Sequence, residues 1–118
     1  AIKLAIADMG GKINGKKIEL LFADHLNKAD IGASKAREWL DRDDIDVIMV
    51  GANSSVMLAV SKLAAEKKKP LIIPATATAR VTNEDCSPYT IHYGYDTVAA
   101  ARGTSSAVTS RASPLCEE

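Results

Sequence analysis

The chain has 118 residues, of which 47% are hydrophobic, so it is long enough for one domain with its own core. Its 15 basic and 15 acidic residues cancel, so bulk charge gives no indication of binding to nucleic acid or to a membrane surface. No apolar run approaches the roughly 20 residues that span a bilayer. No signal peptide is visible and the chain opens inside a helical pattern, so we expect the natural polypeptide to begin further upstream.

The first part of the chain predicts a helix, a turn and a strand. Apolar residues recur at helical spacing and predict a helix that packs on a sheet: Ile2, Ala5, Ile6 and Met9. Gly10-Gly11 would cap this helix, and Asn14-Gly15 predicts a tight turn. Partial alternation of apolar and polar residues predicts a strand from Lys17 to Ala23.

The remainder alternates between helices and short apolar strands. Asp30 is the predicted N-cap of a second helix, whose inner stripe is Ala33, Ala36, Trp39 and Leu40. A strand at 45–50 leads to a helix at about 53–67, with an inward stripe of Val56, Val60, Leu63 and Ala64. The cations Lys67, Lys68 and Lys69 suit the dipole at the end of that helix.

Two more strands follow, at 71–73 and near Tyr89–Tyr93, and a last helix begins at Asp96-Thr97. Strands that alternate with helices of these lengths predict a parallel sheet with right-handed crossovers. The fold class predicted from the residues is therefore α/β, with an open parallel sheet.

Small, hydroxyl-rich segments follow two of the predicted strands. Gly51-Ala52-Asn53-Ser54-Ser55 follows the strand at 45–50, and Pro74-Ala75-Thr76-Ala77-Thr78-Ala79 follows the strand at 71–73. Ligands of open α/β sheets bind beyond the carboxyl ends of the strands. The glycine would allow a sharp turn, and the N–H groups of a helix start, with nearby hydroxyls, suit a carboxylate or phosphate. These segments predict a small-anion site; the alternative interpretation is that Asn53 or Ser54 is only an N-cap.

The sequence gives less support for a catalytic site, a metal site or a disulfide. His25 is better explained as a loop residue bonded to its own backbone, and His92 as a core or edge residue of a strand. No spacing of histidine, cysteine and acidic residues predicts a metal site, and no nucleotide-binding or nucleophile motif is present. Cys86 and Cys116 could pair only if the fold brings them together. We expect no catalytic residue and no cofactor.

A further signal lies in the order and spacing of several segments. They are Ala7-Asp8-Met9-Gly10-Gly11, Asn14-Gly15-Lys16-Lys17-Ile18, Ala23-Asp24-His25 with Asn27-Lys28, Asn53-Ser54-Ser55-Val56, Thr76 to Thr82, Cys86-Ser87-Pro88 and Tyr95-Asp96-Thr97. Together the run from Ile2 to about Thr104 resembles the N-terminal lobe of the branched-chain amino-acid-type solute-binding proteins that serve bacterial ABC transporters.

The resemblance implies a three-layer lobe of the type I periplasmic binding fold, with helices on both faces of the sheet. In that family two lobes close on a small ligand that carries a carboxylate, such as a branched-chain amino acid or an aromatic acid. The ligand-binding residues it implies here are Asn53, Ser54, Ser55, Ala75, Thr76, Ala77 and Thr78, with a less direct role for Tyr95. It also implies a periplasmic location and a membrane permease as partner of the full-length protein.

Three departures from the family pattern bear on function. The family places a strand before the first helix, whereas this chain starts in that helix, which would leave a gap in the sheet and unpaired backbone groups that favour self-association. Residues 1–104 would be a lobe without its first strand, and 105–118 a diverged or truncated tail. Without a second lobe to close over it, the ligand would be half covered and weakly bound.

Two alternative functions stay open at this point. A serine-based α/β hydrolase would place His25 or another base within about 3 Å of the Ser54 or Ser55 oxygen. A ligand-sensing receptor ectodomain would differ from a transport protein in the sequence that flanks this chain.

Overall fold

The computed structural model describes residues 1–111, without the side chains of 109–111. Helix α1 (Ile2–Asp8) precedes a hairpin of β1 (Lys12–Ile13) and β2 (Lys16–Lys17), and α2 (Ala29–Arg42) follows. The order continues as β3 (Ile48–Met49), α3 (Ser54–Glu66), β4 (Leu71–Ile73), a 3-10 helix (Ala79–Thr82), β5 (Thr90–His92) and α4 (Thr97–Arg111). None of the helices in residues 1–111 has the length and apolar character to cross a membrane.

A parallel sheet of order β3-β4-β5 carries the core. Its register pairs Ile48 with Leu71 and Leu71 with Thr90, so these three residues lie on one face of the sheet. Helix α3 covers this face: its Ser61 hydroxyl lies 3.2 Å from that of Thr90. Helix α2 packs on α3, and the predicted inward residues of α3 are all buried. The predicted α/β fold with a parallel sheet is confirmed.

The predicted strand at Lys17 to Ala23 is wrong except at its first residue. Only Lys16 and Lys17 pair, with β1, across the predicted Asn14-Gly15 turn, and residues 18–25 form no ladder. Side-chain alternation shows that a segment suits a strand, but a strand also needs a neighbour for its N–H and C=O groups. In the described residues β3 pairs only with β4, so 18–23 has no strand beside it.

Helix α1 forms as predicted, but it does not pack on the sheet. The amide of Gly11 donates to the Ile6 carbonyl at 2.8 Å and that of Gly10 to Ala7 at 2.9 Å, a C-cap that uses positive φ at both glycines. No residue of α1 is buried, and Met9 is 71% exposed. Helical spacing identifies an apolar face, but it does not ensure that another part of the fold covers that face.

Helix α2 begins one residue before the predicted N-cap. Lys28 is the N-cap, and Asp30 lies in the first turn, where its charge still suits the helix dipole. The turn that precedes the helix sets this start: the Asp24 carboxylate accepts from the Leu26 amide at 2.8 Å, and Lys28 N donates to the His25 carbonyl at 2.8 Å. The Asx turn at Asp24 thus shapes the approach to α2, whereas the N-cap residue Lys28 makes no side-chain capping bond.

The lysines at the end of α3 pair with the end of α2. Lys67 lies 2.6 Å from Asp41, and Lys69 lies 2.9 Å from Asp44. Surface pairs of this kind contribute little, so their role is to align two helix ends that the core already holds together.

Candidate functional site

The carboxyl ends of β3, β4 and β5 meet at one edge of the sheet. The parallel register continues beyond the strands, because Val50 N donates to the Ile72 carbonyl at 3.1 Å and Tyr93 N donates to the Ile73 carbonyl at 2.9 Å. A Cβ atom on Gly94 would lie 3.0 Å from the Pro74 carbonyl oxygen, and one on Gly51 would lie 3.8 Å from the Pro74 ring. The two hydroxyl-rich segments therefore start from adjacent points, as the sequence predicts.

The turn out of β3 is made by Ala52, not by the glycine. Ala52 has a φ of 71°, a left-handed backbone that costs a residue with a Cβ about 1–2 kcal/mol. Gly51 does not have a positive φ, so the prediction that Gly51 makes this turn is wrong. The hydrogen bond from Asn53 N to the Gly51 carbonyl, at 3.0 Å, closes the turn and stabilises the strained residue between them. Strain of this kind is concentrated at binding and catalytic sites.

Asn53 is the N-cap of α3. Its side-chain oxygen accepts from the amides of Ser55 at 3.0 Å and Val56 at 3.1 Å, and from the Ser55 hydroxyl at 2.7 Å. The Asn53 amide group lies 3.5 Å from the Asn27 side-chain oxygen, a long contact that ties the α2 entry loop to this site. The N-cap interpretation is thus correct for Asn53, and Ser54 is left as the half-buried first residue of the helix.

Replacing Asn53 with alanine removes all three of these acceptor contacts. We expect Asn53→Ala to lower the free energy of unfolding by about 1 kcal/mol, and Asn53→Asp to retain most of the stability because it keeps the acceptor. Urea unfolding followed by circular dichroism measures both. Equal losses in the two variants would show that the cap contributes nothing.

The segment after β4 is held by its neighbours at three points. The Thr78 hydroxyl accepts from Arg80 N at 3.3 Å and caps the 3-10 helix, and the Ala77 carbonyl accepts from Thr97 N at 2.6 Å. The Thr76 carbonyl lies 2.7 Å from His92 Nε2. Thr76 itself is 2% exposed, and its hydroxyl has no hydrogen-bond partner in residues 1–111, whereas Ala75 is exposed.

Tyr95 and Asp96 lie between β5 and α4. Helix α4 begins at Thr97, as the sequence predicts, and the Asp96 side chain caps it by accepting from Ala99 N at 2.7 Å. Tyr95 is 64% exposed just beyond the carboxyl end of β5. Tyr95 thus follows the same edge of the sheet as the two hydroxyl-rich segments.

Both histidines have structural partners. His25 Nδ1 accepts from Asn27 N at 3.1 Å, so it is the loop histidine bonded to nearby backbone that the sequence favours. His92 is half-buried on β5, with its ring nitrogen on the Thr76 carbonyl. Cys86 is exposed, and Cys116 lies outside the described residues.

A separate cavity of about 210 Å³ lies between α2, β3 and residues 23–25. His25, Lys35 and Trp39 are among its lining residues, and sequence reasoning did not find it. Lys35 donates to Glu38 at 2.8 Å, and this bond, with the lysine charge, lowers the pKa of the exposed Glu38. Of the two hydroxyl-rich segments, only Gly51 lines this cavity, and none of the hydroxyl-bearing residues does.

Comparisons with known proteins agree with this architecture. A sequence profile of the periplasmic binding protein family matches residues 1–113. The solved structure of a periplasmic binding protein from Burkholderia mallei is 55% identical, with a TM-score of 0.90, over 93% of this chain and 29% of that one. A second solved structure is a branched chain amino acid ABC transporter periplasmic ligand-binding protein from Burkholderia xenovorans LB400. It is 35% identical, with a TM-score of 0.83, over 93% of this chain and 29% of that one.

A third solved structure has a ligand. It is a solute binding protein of an ABC transporter from Rhodopseudomonas palustris BisB5 in complex with 3,4-dihydroxy benzoic acid, 32% identical, with a TM-score of 0.73, over 80% of this chain and 26% of that one. A comparison with curated protein sequences found no match. The chain spans 29% or less of the length of these three solved structures. Because the profile covers nearly all of the sequence, the chain belongs to the periplasmic binding protein family.

Proposed function

We propose that this chain contributes the N-terminal half of a binding site for a small carboxylate, in a solute-binding protein that delivers its ligand to an ABC transporter. The ligand classes we propose are aromatic acids and branched-chain amino acids. The similar proteins from R. palustris and B. xenovorans support these two classes, by the dihydroxybenzoate bound to one and the transporter type of the other.

One observation carries the proposal. The carboxyl ends of the parallel strands β3, β4 and β5 lie at one edge of the sheet, together with the strained turn at Ala52 and the first residues of α3. The residues proposed to contact the ligand follow these strand ends: Asn53, Ser54, Ser55, Ala75, Thr76, Ala77, Thr78 and Tyr95. Asn53 already caps two amides of α3, so we assign it to hold the turn, with Ser54 at the exposed end of the helix dipole. The buried Thr76 hydroxyl is a donor that the described chain leaves without an acceptor.

The proposal also covers the location and partners of the full-length protein, which we place in the periplasm with a membrane permease as its partner. For this chain on its own, we propose self-association through the incomplete sheet. A binding role is favoured over catalysis because the His25 and His92 rings contact the Asn27 amide and the Thr76 carbonyl, not a serine. A general base must reach the proton that it removes.

Calorimetric titration with 3,4-dihydroxybenzoate and with leucine tests the site. We expect dissociation constants in the millimolar range for this chain, since one lobe covers only half of a ligand. Ser54→Asp should abolish binding, because a carboxylate at the first position of α3 suits the helix dipole but repels an anionic ligand. Ser34→Asp, at an exposed position of α2, is the matched control.

Two results would contradict these expectations. Micromolar or tighter binding would overturn the expected weak affinity, because it would show that one lobe suffices. Equal binding by the wild type and Ser54→Asp would show that the ligand sits elsewhere.

A further inference from the structure

The free edge of β3 borders the cavity beside α2, and this edge has the geometry of a place for one more strand. We infer that the space between residues 48–51 and residues 18–25, which we call the strand gap, takes up a single extended apolar segment from outside this 118-residue chain. The inference concerns the sheet and does not depend on the proposed ligand.

The residues that line the cavity place it in the plane of the sheet. Successive side chains of a strand point to opposite faces, so a cavity on one face of a sheet is lined by alternate residues. This cavity is lined by the successive residues 48–51 of β3 and its extension, and by the successive residues 23–25 on its other side. It therefore lies at the edge of β3, where a neighbouring strand would run.

The backbone of β3 presents hydrogen-bonding groups to the strand gap. The amides of Ile48 and Val50 donate toward the β4 side, at 3.0 and 3.1 Å. Because backbone groups alternate along a strand, the amide and carbonyl of Met49 point the opposite way, toward the gap. Edge groups of this kind are a template for an added strand, and extended peptides bind to sheet edges in this way.

Helix α2 covers the strand gap from one side. It lines the cavity with one largely apolar face, formed by Gly32, Lys35, Ala36 and Trp39. Packed helices lie about 8–10 Å apart and neighbouring strands about 4.8 Å apart, so α2, on the β3 side of α3, lies over strand positions beyond β3. In the described residues β3 has no strand at those positions. An inserted strand would therefore pack on a helix face that is already in place.

An extended apolar segment is the occupant that this geometry favours. A strand between β3 and residues 18–23 would be a central strand, and central strands covered by helices are apolar. It would also give residues 18–23, which alternate as a strand does, the neighbour that they lack. Residues 112–118 are unsuitable, because they include Pro114, Glu117 and Glu118. The similar B. mallei protein is much longer, since this chain covers 29% of it, so a polypeptide of that length has other segments that can supply the strand.

Amide hydrogen exchange of the ¹⁵N-labelled 118-residue chain, with and without a strand-forming peptide, tests the inference. The probe is acetyl-Lys-Lys-Val-Ile-Val-Thr-Val-Lys-Lys-amide, in which β-branched residues favour a strand and the lysines oppose aggregation. We expect saturable binding of one peptide per chain, with slower exchange of the Met49 amide and of amides in 18–23. The amides of Ile48 and Val50 should change less, because they already donate toward β4.

Two variants and a control locate the peptide. Met49→Pro removes the donor that faces the gap and should raise the peptide dissociation constant about tenfold or more. Ala23→Trp puts a large ring into the lining of the gap and should weaken binding similarly, so it tests the site even if Met49→Pro disturbs the fold. Ala7→Trp, at an exposed alanine of α1 outside the lining, is the matched control and should bind the peptide as the wild type does.

The contrary outcomes are distinct. Absence of saturable binding at millimolar peptide would overturn the inference. Binding that leaves exchange of the Met49 amide unchanged, or that Ala23→Trp and Ala7→Trp alter equally, would overturn the strand gap as the site. A chain that dimerises and takes up no peptide would overturn the inference in favour of the proposed self-association. None of these results bears on the titration with carboxylates.

Discussion

Replacing Leu71 with alanine should lower the free energy of unfolding by about 2–5 kcal/mol, the largest effect that we expect from one substitution. Leu71 is fully buried in β4, the central strand of the sheet, with β3 and β5 on either side. Truncation there removes apolar contact with α3 and leaves a cavity that a close-packed core fills only in part.

Urea unfolding monitored by circular dichroism measures the loss. Leu4→Ala, which truncates a leucine that is 66% exposed, is the control and should cost about 0.5 kcal/mol or less. A Leu71→Ala chain that is unfolded without urea would meet the expectation, because the cost then exceeds the total stability. Similar small losses in both variants would show that β4 is not the centre of the core.

Gly32→Ala should destabilise the chain by about 1–2 kcal/mol even though alanine favours helices. A Cβ atom at Gly32 of α2 would lie 2.5 Å from Val56 Cγ1 of α3, and Val56 is 1% exposed. A contact as short as this belongs to the upper part of the range of about 1–3 kcal/mol that overpacking costs, so the cost exceeds the gain of about 1 kcal/mol in helix propensity. Glycine at this position therefore lets two helices approach closely.

Gly103→Ala is the matched control for this effect. A Cβ atom at Gly103 of α4 meets nothing within 4 Å, so only the propensity gain of about 1 kcal/mol should appear. Val56→Ala combined with Gly32→Ala should cost less than the sum of the two single variants, because Val56→Ala removes the clashing methyl. Stabilisation by Gly32→Ala alone would show that the two helices are not in contact at this point.

Much of the sheet and its helices could be predicted from the sequence. The inward stripe of α3, the cap at Asn53 and the strands at 71–73 and 90–92 all follow from local patterns that tertiary contacts reinforce. In each case the apolar residues that form the element also find a partner in the fold. Local and global preferences then agree.

The errors arise where a local pattern needs a distant partner. Residues 18–23 alternate as a strand does, but no described strand pairs with them, and the stripe of α1 meets no surface. The left-handed turn at Ala52 has a different cause. Glycine is the usual residue for a positive φ, so the sequence predicts that the left-handed residue is Gly51, whereas the structure has it at the neighbouring Ala52.

The central claim is that the segments after β3 and β4 form one carboxylate site. Amide chemical shifts of the ¹⁵N-labelled chain, followed while 3,4-dihydroxybenzoate is added, test it most directly because they detect weak binding and locate it. We predict saturable shifts at the amides of 53–55 and 75–78 together, with a single dissociation constant. Shifts centred on the cavity beside His25 and Lys35, or no saturable shift at millimolar ligand, would contradict the claim.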